Sequence, residues 1–306
     1  MSRAEAPTDF RGVCAILVTW QPDLLHFQIL LDALVSQHCP LIVIDNGSHN
    51  RDALRSLLDE LPSGSVHTAV YRDTNAGLAL ALNEGLVLAK EAGFAQVLLF
   101  DQDSLIPAHF VSSLLQQWQQ LPFDPPPAAL GPRLQDPDSG RRTPFRCFRW
   151  RRRSDCAVPG FDGLYETDFL ISSGSLLSMA ALEQAGLMKD NYFIDNIDLE
   201  WCFRARSKGF ALYGTDKAVL FHRIGESSRN PLVKSGVIVQ HSPLRSYYST
   251  RNRMHLWRQP YAPADWKRRD RVRFVLKSLW LLLFSPQRRE YWQQIRRGIQ
   301  DARSLS

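Results

Sequence analysis

The strongest constraint on this chain is a repeated pattern in its first hundred residues. Four strand-like runs occur, Val13 to Thr19 (VCAILVT), Leu41 to Asp45 (LIVID), Val66 to Arg72 and Val97 to Phe100 (VLLF). Each is too short to stand as a helix by itself. Between them lie segments with helical spacing: Pro22 to about His38, with Leu25, Ile29, Leu30 and Leu34, then Asn50 to Leu61, then an Ala- and Leu-rich stretch ending near Ala92. Continuous apolar strands alternating with helices predict an α/β fold, a mostly parallel sheet covered on both faces. In such sheets ligands sit outside the carboxyl ends of the strands.

The residues at those ends are polar: Thr19-Trp20, Asp45-Asn46-Gly47, Arg72 with Asn75, and Asp101-Gln102-Asp103. They suit a base, a ribose and a pyrophosphate. No GxGxxG follows the first run, which disfavours a dinucleotide-binding domain, and no GxxxxGK[ST] occurs, which excludes the P-loop NTPases. In a strand, residues two apart point the same way, so Asp101 and Asp103 are expected to project together past the sheet edge. Two adjacent anions raise each other's pKa unless a cation lies between them. Mg²⁺ or Mn²⁺ bridging a nucleotide pyrophosphate is the natural cation. The competing reading makes both aspartates turn residues, with Asp103 an N-cap for the helix after Pro107.

A chain of 306 residues, 44% hydrophobic, forms one large domain or two small ones with a sizeable core. Its net charge of +6 points to an anionic partner. Five cysteines, an odd count with no CxxC, read as buried thiols in a reducing compartment rather than as a disulfide framework or a zinc site. The polar start MSRAEAPTDFRG has no apolar signal core.

Beyond the fourth run, prolines punctuate 121–163, and Phe145 to Arg153 (FRCFRWRRR) interleaves aromatics with arginines. That stretch reads as a solvated loop or as a patch for an anionic acceptor or lipid headgroups. Thr167 to Ser178 returns to strand character around Ser172-Ser173-Gly174, and Met179 to Gly186 is a short helix. In Tyr192 to Phe210 (YFIDNIDLEWCFRARSKGF), Asp195, Asp198 and Glu200 bracket a helix start. Asp195 reads as an N-cap. A carboxylate of this group, held near a hydroxyl acceptor, also suits a general base. Two short strands, Ala211 to Tyr213 and Val219 to Phe221, lead to His222, which reads as a third metal ligand or as an ordinary satisfied histidine. Arg223 and Arg229 follow and suit phosphate. His241 to Trp257 and 264–303 are expected to be helical. Within the latter, Val272 to Phe284 is strongly apolar, flanked by arginines and interrupted by Lys277. It is shorter than the ~20 residues a membrane span needs. It reads as a helix lying in an anionic membrane interface or as one packed on the core.

Taken in order, VTW (18–20), IDNGS (44–48), RDTNAGLALALNEG (72–85), LLFDQDS (98–104), LGPR (130–133), LISSG (170–174), FIDNIDLEWCFRARSKG (193–209), FHRIG (221–225) and YYSTRN (247–252) resemble the family 2 inverting glycosyltransferases of GT-A fold. FIDNIDLEW followed by HRIG and YYxxRN resembles the bacterial L-rhamnosyltransferase branch. The resemblance runs from about Val13 to Trp257 and implies a GT-A domain. The chain is expected to divide into that domain over 1–240 and a C-terminal amphipathic helical region over 241–306, the latter being the candidate for membrane-surface contact. The resemblance gives Asp45 the reading of a pyrimidine imide, and Thr19, Asn46, Arg72 and Asn75 contacts to base, ribose and phosphate. Asp101 would help hold ribose and metal, Asp103 would ligate Mg²⁺ or Mn²⁺ directly, and His222 would be the third ligand. Asp198 matches the general base. The family often has Glu-Asp there, whereas Ile197 precedes Asp198 here, so Asp195 stays a second candidate.

The implied donor is dTDP-β-L-rhamnose, and the implied acceptor a glycan or glycolipid in cell-surface polysaccharide synthesis at the inner face of a bacterial membrane. Another nucleotide sugar or a rhamnolipid precursor is the nearest rival. A non-catalytic basic binding protein is the distant one. No nucleic-acid-binding signature supports a nucleic-acid partner.

Overall fold

The computed structural model describes residues 12–147, 156–221 and 242–305. The four runs form β1 (Val13–Thr19), β2 (Leu41–Asp45), β3 (Val66–Tyr71) and β4 (Gln96–Asp101). Helices α1 (Leu24–Val35), α2 (Arg51–Asp59) and α3 (Leu78–Glu91) connect them. Asp23 accepts the amides of Leu25 and His26, so α1 begins after the aspartate rather than at Pro22. All three pairings among these strands are parallel, and Thr19 lies level with Asp45. That register brings the polar ends of β1, β2 and β4 to one edge.

Alternation along the strands divides the core into two layers. Cys14, Ile16 and Val18 face α3 and the helices within 179–207, while Val13, Ala15 and Leu17 face α1, α2 and α4 (Phe110–Trp118). The rest of the sheet is β5 (Pro127–Gln135), β6 (Leu164–Glu166), β7 (Leu176–Ser178) and β8 (Ala211–Phe221). The strand order is β3-β2-β1-β4-β7-β5-β8-β6. It is a mixed sheet. β7 runs antiparallel between β4 and β5, and β6 is antiparallel to β8.

Several boundaries differ from the sequence expectation. Thr167 to Ser178 is not one strand: Gly174, at φ 75°, turns the chain so that only Leu176–Ser178 pairs. The two short strands after α6 (Ile197–Ser207) are one strand, β8, whose pairing with β5 shifts register between Pro132 and Arg133. β4 stops at Asp101, and Gln102 and Asp103 lie in a turn, so the two aspartates do not share one strand face. The N-cap position of the helix after Pro107 is His109, not Asp103, and that of α6 is Asn196, not Asp195; neither side chain bonds a helix amide. Cys14, Cys39 and Cys202 are buried thiols as expected, but Cys147 and Cys156 form a disulfide.

After α5 (Met179–Ala185) and α6, the chain ends in α7 (Pro243–Arg258), α8 (Ala264–Phe284) and α9 (Arg288–Asp301). Ser285 and Pro286 break the long helical stretch, since proline cannot continue the α8 hydrogen bonds. α9 packs on α7, and α7 and the start of α8 pack onto α6 through Phe203, Leu256, Ala262 and Trp266. They are tied there by Glu200, which is fully buried. Glu200 pairs with Arg204 at 2.8 and 3.0 Å and accepts from the Tyr261 hydroxyl at 2.6 Å.

Candidate active site

At the end of β2, Asp45 is fully enclosed and accepts from the Thr19 hydroxyl at 2.9 Å and the Ser48 amide at 3.0 Å. Its carboxylate thus closes the 45–48 turn onto β1. Asn46 continues the chain of contacts: its amide nitrogen donates to Asn75 Oδ1 at 3.0 Å and its oxygen accepts from the Ala76 amide at 3.0 Å. Asn75 Oδ1 also accepts the Gly77 amide at 2.9 Å. Gly47, at φ 83°, lies so close to this second loop that a Cβ would meet the Thr74 carbonyl carbon at 2.6 Å. The Arg72 guanidinium is held by Glu84 at 2.6 Å. Thr19, Asp45, Asn46, Arg72 and Asn75 therefore form one connected edge.

The β4 end joins the same edge. Gln102 accepts the Trp20 amide at 2.8 Å and donates back to its carbonyl at 3.2 Å, clamping the aspartate turn to β1. Ser104 and Ser173 are buried with their hydroxyls 2.7 Å apart, which fixes the turn from below. Asp103 is exposed at the mouth and Asp101 half-buried behind it. Both offer hard oxygen donors of the kind Mg²⁺ and Mn²⁺ take. Among the described residues no group of three or more His, Cys, Asp and Glu side chains converges as a metal cage. His222, with Arg223 and Arg229, lies outside the described residues, as does 148–155 of the basic aromatic stretch.

The two candidate bases differ sharply. The Asp195 carboxylate is gripped by the Arg245 guanidinium, with contacts of 3.0–3.2 Å to both oxygens. Among the described residues no cation pairs with Asp198. One oxygen accepts the Leu199 amide at 2.8 Å. Burial raises its pKa to about 6, opposed by the amides of Leu199 and Ser172 and reinforced by the negative charges of Asp101 and Asp195. That value suits a proton acceptor working near neutral pH. The Coulombic effect of Asp101 on Asp198 reflects the nearness of the α6 head to the β4 edge. Asp198 also lines a small cavity of about 20 Å³, which shares Leu170, Ile171 and Ser175 with one of about 210 Å³ bordered by Phe145 and Arg146.

A model of the family described as Glycosyl transferase family 2 matches residues 27–185. The chain belongs to glycosyl transferase family 2. Over 287 residues, 92% of each chain, it is 28% identical to a protein of Shigella flexneri named dTDP-rhamnosyl transferase RfbF. Among solved structures it is similar to GalNAc-T7 with UDP, GalNAc and Mn²⁺, at a TM-score of 0.58 and 12% identity over 96% of this chain and 56% of that one. It thus spans little more than half the length of that protein. It is also similar to S. aureus TarS 1-349 in complex with UDP-GlcNAc, at a TM-score of 0.55 and 14% identity over 95% of this chain and 81% of that one. These likenesses establish the GT-A-like fold.

Sequence reasoning about this family 2 glycosyltransferase missed the residues that hold the site from outside it. Gln102 sits between the two aspartates, and its clamp on Trp20 left no local signal. Arg245 precedes YYSTRN and Asn252 ends it, a motif that is legible but silent about what it touches. Phe193, Asp195 and Asn196 all take positive φ, 38°, 67° and 61°. Such non-glycine conformations cost on the order of 1–3 kcal/mol each and persist only where their surroundings enforce them.

Proposed function

We propose that the chain is an inverting glycosyltransferase that moves L-rhamnose from dTDP-β-L-rhamnose to a hydroxyl of a glycan or lipid-linked acceptor. The observation that carries the chemistry is the placement of Asp198: a carboxylate at the head of α6, beside Asp101 at the strand edge, pushed up to about 6 by burial and with no cationic contact among the described residues. Asp198 takes the proton of the acceptor hydroxyl while that oxygen attacks the anomeric carbon. The bond from this carbon to the diphosphate oxygen breaks, the nucleoside diphosphate leaves, and the anomeric configuration inverts. Asp195, already neutralised by Arg245, is the weaker candidate for the base. Asp101 and Asp103 would hold Mg²⁺ or Mn²⁺, whose positive charge would oppose that of the leaving diphosphate. Thr19, Asp45, Asn46, Arg72 and Asn75 shape the pocket for base and ribose, Asp45 by ordering its turn from within. The rhamnosyl donor is supported by the likeness to RfbF across nearly the whole of both chains.

The same reading places the protein at an anionic membrane surface through α8. Val272, Leu276, Leu279 and Leu283 form an exposed row, and Arg268, Arg269 and Arg273 are exposed beside its first half. No described helix is long and apolar enough to cross a membrane. Flotation with phosphatidylglycerol vesicles should recover the protein, and Leu276→Asp should abolish that recovery.

The donor is tested by thermal shift and nucleotide release with a panel of nucleotide sugars and Mn²⁺ or Mg²⁺. Selective stabilisation by dTDP-L-rhamnose, lost with EDTA, is expected. A response to a UDP-sugar instead would overturn the rhamnosyl assignment and keep the transfer chemistry.

A further inference from the structure

Asn252 lies fully enclosed in the second half of α7. Its side-chain nitrogen is 2.9 Å from the Tyr192 carbonyl, 2.8 Å from that of Ile194 and 2.9 Å from that of Asp195. Its side-chain oxygen accepts from Arg251 at 3.0 and 3.1 Å. A flipped amide would aim oxygen at three carbonyls and hydrogens at a guanidinium, so only one orientation is satisfied. One NH₂ group thus gathers the carbonyls of the segment that turns left-handed at Phe193, Asp195 and Asn196.

The same segment is held from its other side. The Phe193 carbonyl accepts the Leu78 amide at 2.6 Å, at the head of α3. Gly77 is packed so tightly there that a Cβ would lie 2.7 Å from Phe193 Cα. The loop is therefore clamped between α7 and the donor-side loop that carries Asn75. It ends at Asn196, and Asp198 is the second residue of the helix that follows.

We propose that Asn252 is a positioning residue for the transfer reaction, acting through the 192–196 loop to set where the Asp198 carboxylate stands. The proposal rests on Asp198 being the base. An amide that only fastened α7 to the body would matter to stability alone. An amide that shapes the loop sets the direction in which α6 departs, and hence the reach of the base to the acceptor. Displacement of a reacting group by about 1 Å costs up to about 100-fold in rate. Donor contacts at the ends of β1, β2 and β4 lie away from the loop, and the donor side meets it only where Gly77 and Leu78 touch Phe193.

The test compares Asn252→Ala and Asn252→Asp with the parent full-length chain. Aspartate keeps the size and the acceptor for Arg251 but removes the NH₂ group. We expect kcat to fall about 10- to 100-fold with the donor KM within about 2-fold. The acid limb of the kcat profile, set by Asp198, should move to lower pH as the carboxylate gains solvent. Amide hydrogens of 193–199 should exchange faster while those of β1 and β4 keep the parental rate, a reading that needs no turnover. Should Asn252→Ala fail to fold, Asn252→Ser, which retains one donor, gives the same measurements. A folded Asn252→Ala with kcat within 2-fold of the parent, an unmoved acid limb and parental exchange at 193–199 would overturn the proposal. Failure of the base assignment is read in a different variant, as turnover retained by Asp198→Asn.

Discussion

At the ends of β1, β2 and β4, polar side chains hold one another across short loops that the sheet register has already brought together. At the head of α6, by contrast, the chain passes through three left-handed residues that remote side chains keep in place. Asp45 finds its partners, Thr19 and Ser48, in the neighbouring strand end and in its own turn. Asp195 finds Arg245 and Asn252 only because the C-terminal helices fold back over α6. The first region resists change because many hydrogen bonds and a parallel register agree. The second depends on a few polar groups from remote segments, Asn252 buried and Arg245 half-exposed.

The sharpest probe of that contrast is the acidic group at its centre. Asp198→Asn should lower kcat by about 10³-fold or more, near the upper range for loss of a general base, with donor affinity unchanged. The same variant should be more stable than the parent above pH 6. A carboxyl whose pKa rises on folding contributes stability that is full below the unfolded value and is lost as pH rises through about 6. Asparagine removes that pH-dependent loss. In the parent, transfer should decline as pH falls through about 6, whereas an ordinary carboxylate would sustain it to about 4. A melting series from pH 4 to 8 and a pH–rate profile check both signs.

Next in size is the anchor of the C-terminal helices. Glu200→Ala leaves the Arg204 guanidinium partly buried without its carboxylate and the Tyr261 hydroxyl without its acceptor. A loss of about 3–5 kcal/mol is expected in urea unfolding. If the two regions were equally self-sufficient, this loss would leave the α6 head as well protected in hydrogen exchange as the strands.

On the donor side, Gly47→Ala combines positive φ with a Cβ set 2.6 Å from the Thr74 carbonyl carbon. It should cost about 1–3 kcal/mol and raise the donor KM more than it lowers kcat. The smallest change is expected from Gln102→Ala. It removes two hydrogen bonds to Trp20, partly exposed, for about 1 kcal/mol and a few-fold rise in donor KM. A large fall in kcat from either variant would dissolve the distinction between a binding side and a reacting side.

How far each region was legible follows from the same difference. β1 and β2 were read to the residue because continuous apolar runs stop abruptly at polar turns. The strand ends, and with them Thr19, Asp45, Asn46 and Asp101, came with the runs. The Thr167–Ser178 stretch misled because its composition is strand-like while Gly174 reverses the chain within it. Asp195 looked like a cap because acidic residues favour helix starts, yet Arg245, fifty residues on, claims its carboxylate. Cys147 and Cys156 were invisible as a pair because nothing local sets their approach.

The sequence by itself determined the α/β class, the first four strands and the polar edge proposed for the donor, since strand periodicity and turn chemistry act over a few residues. Only the tertiary structure decided that β7 enters antiparallel, that Arg245 pairs with Asp195, and that Asn252 holds the carbonyls of Tyr192, Ile194 and Asp195 ahead of α6. Those outcomes depend on burial and on hydrogen bonds between segments far apart in the chain. Such contacts exist only once the C-terminal helices have packed against α6.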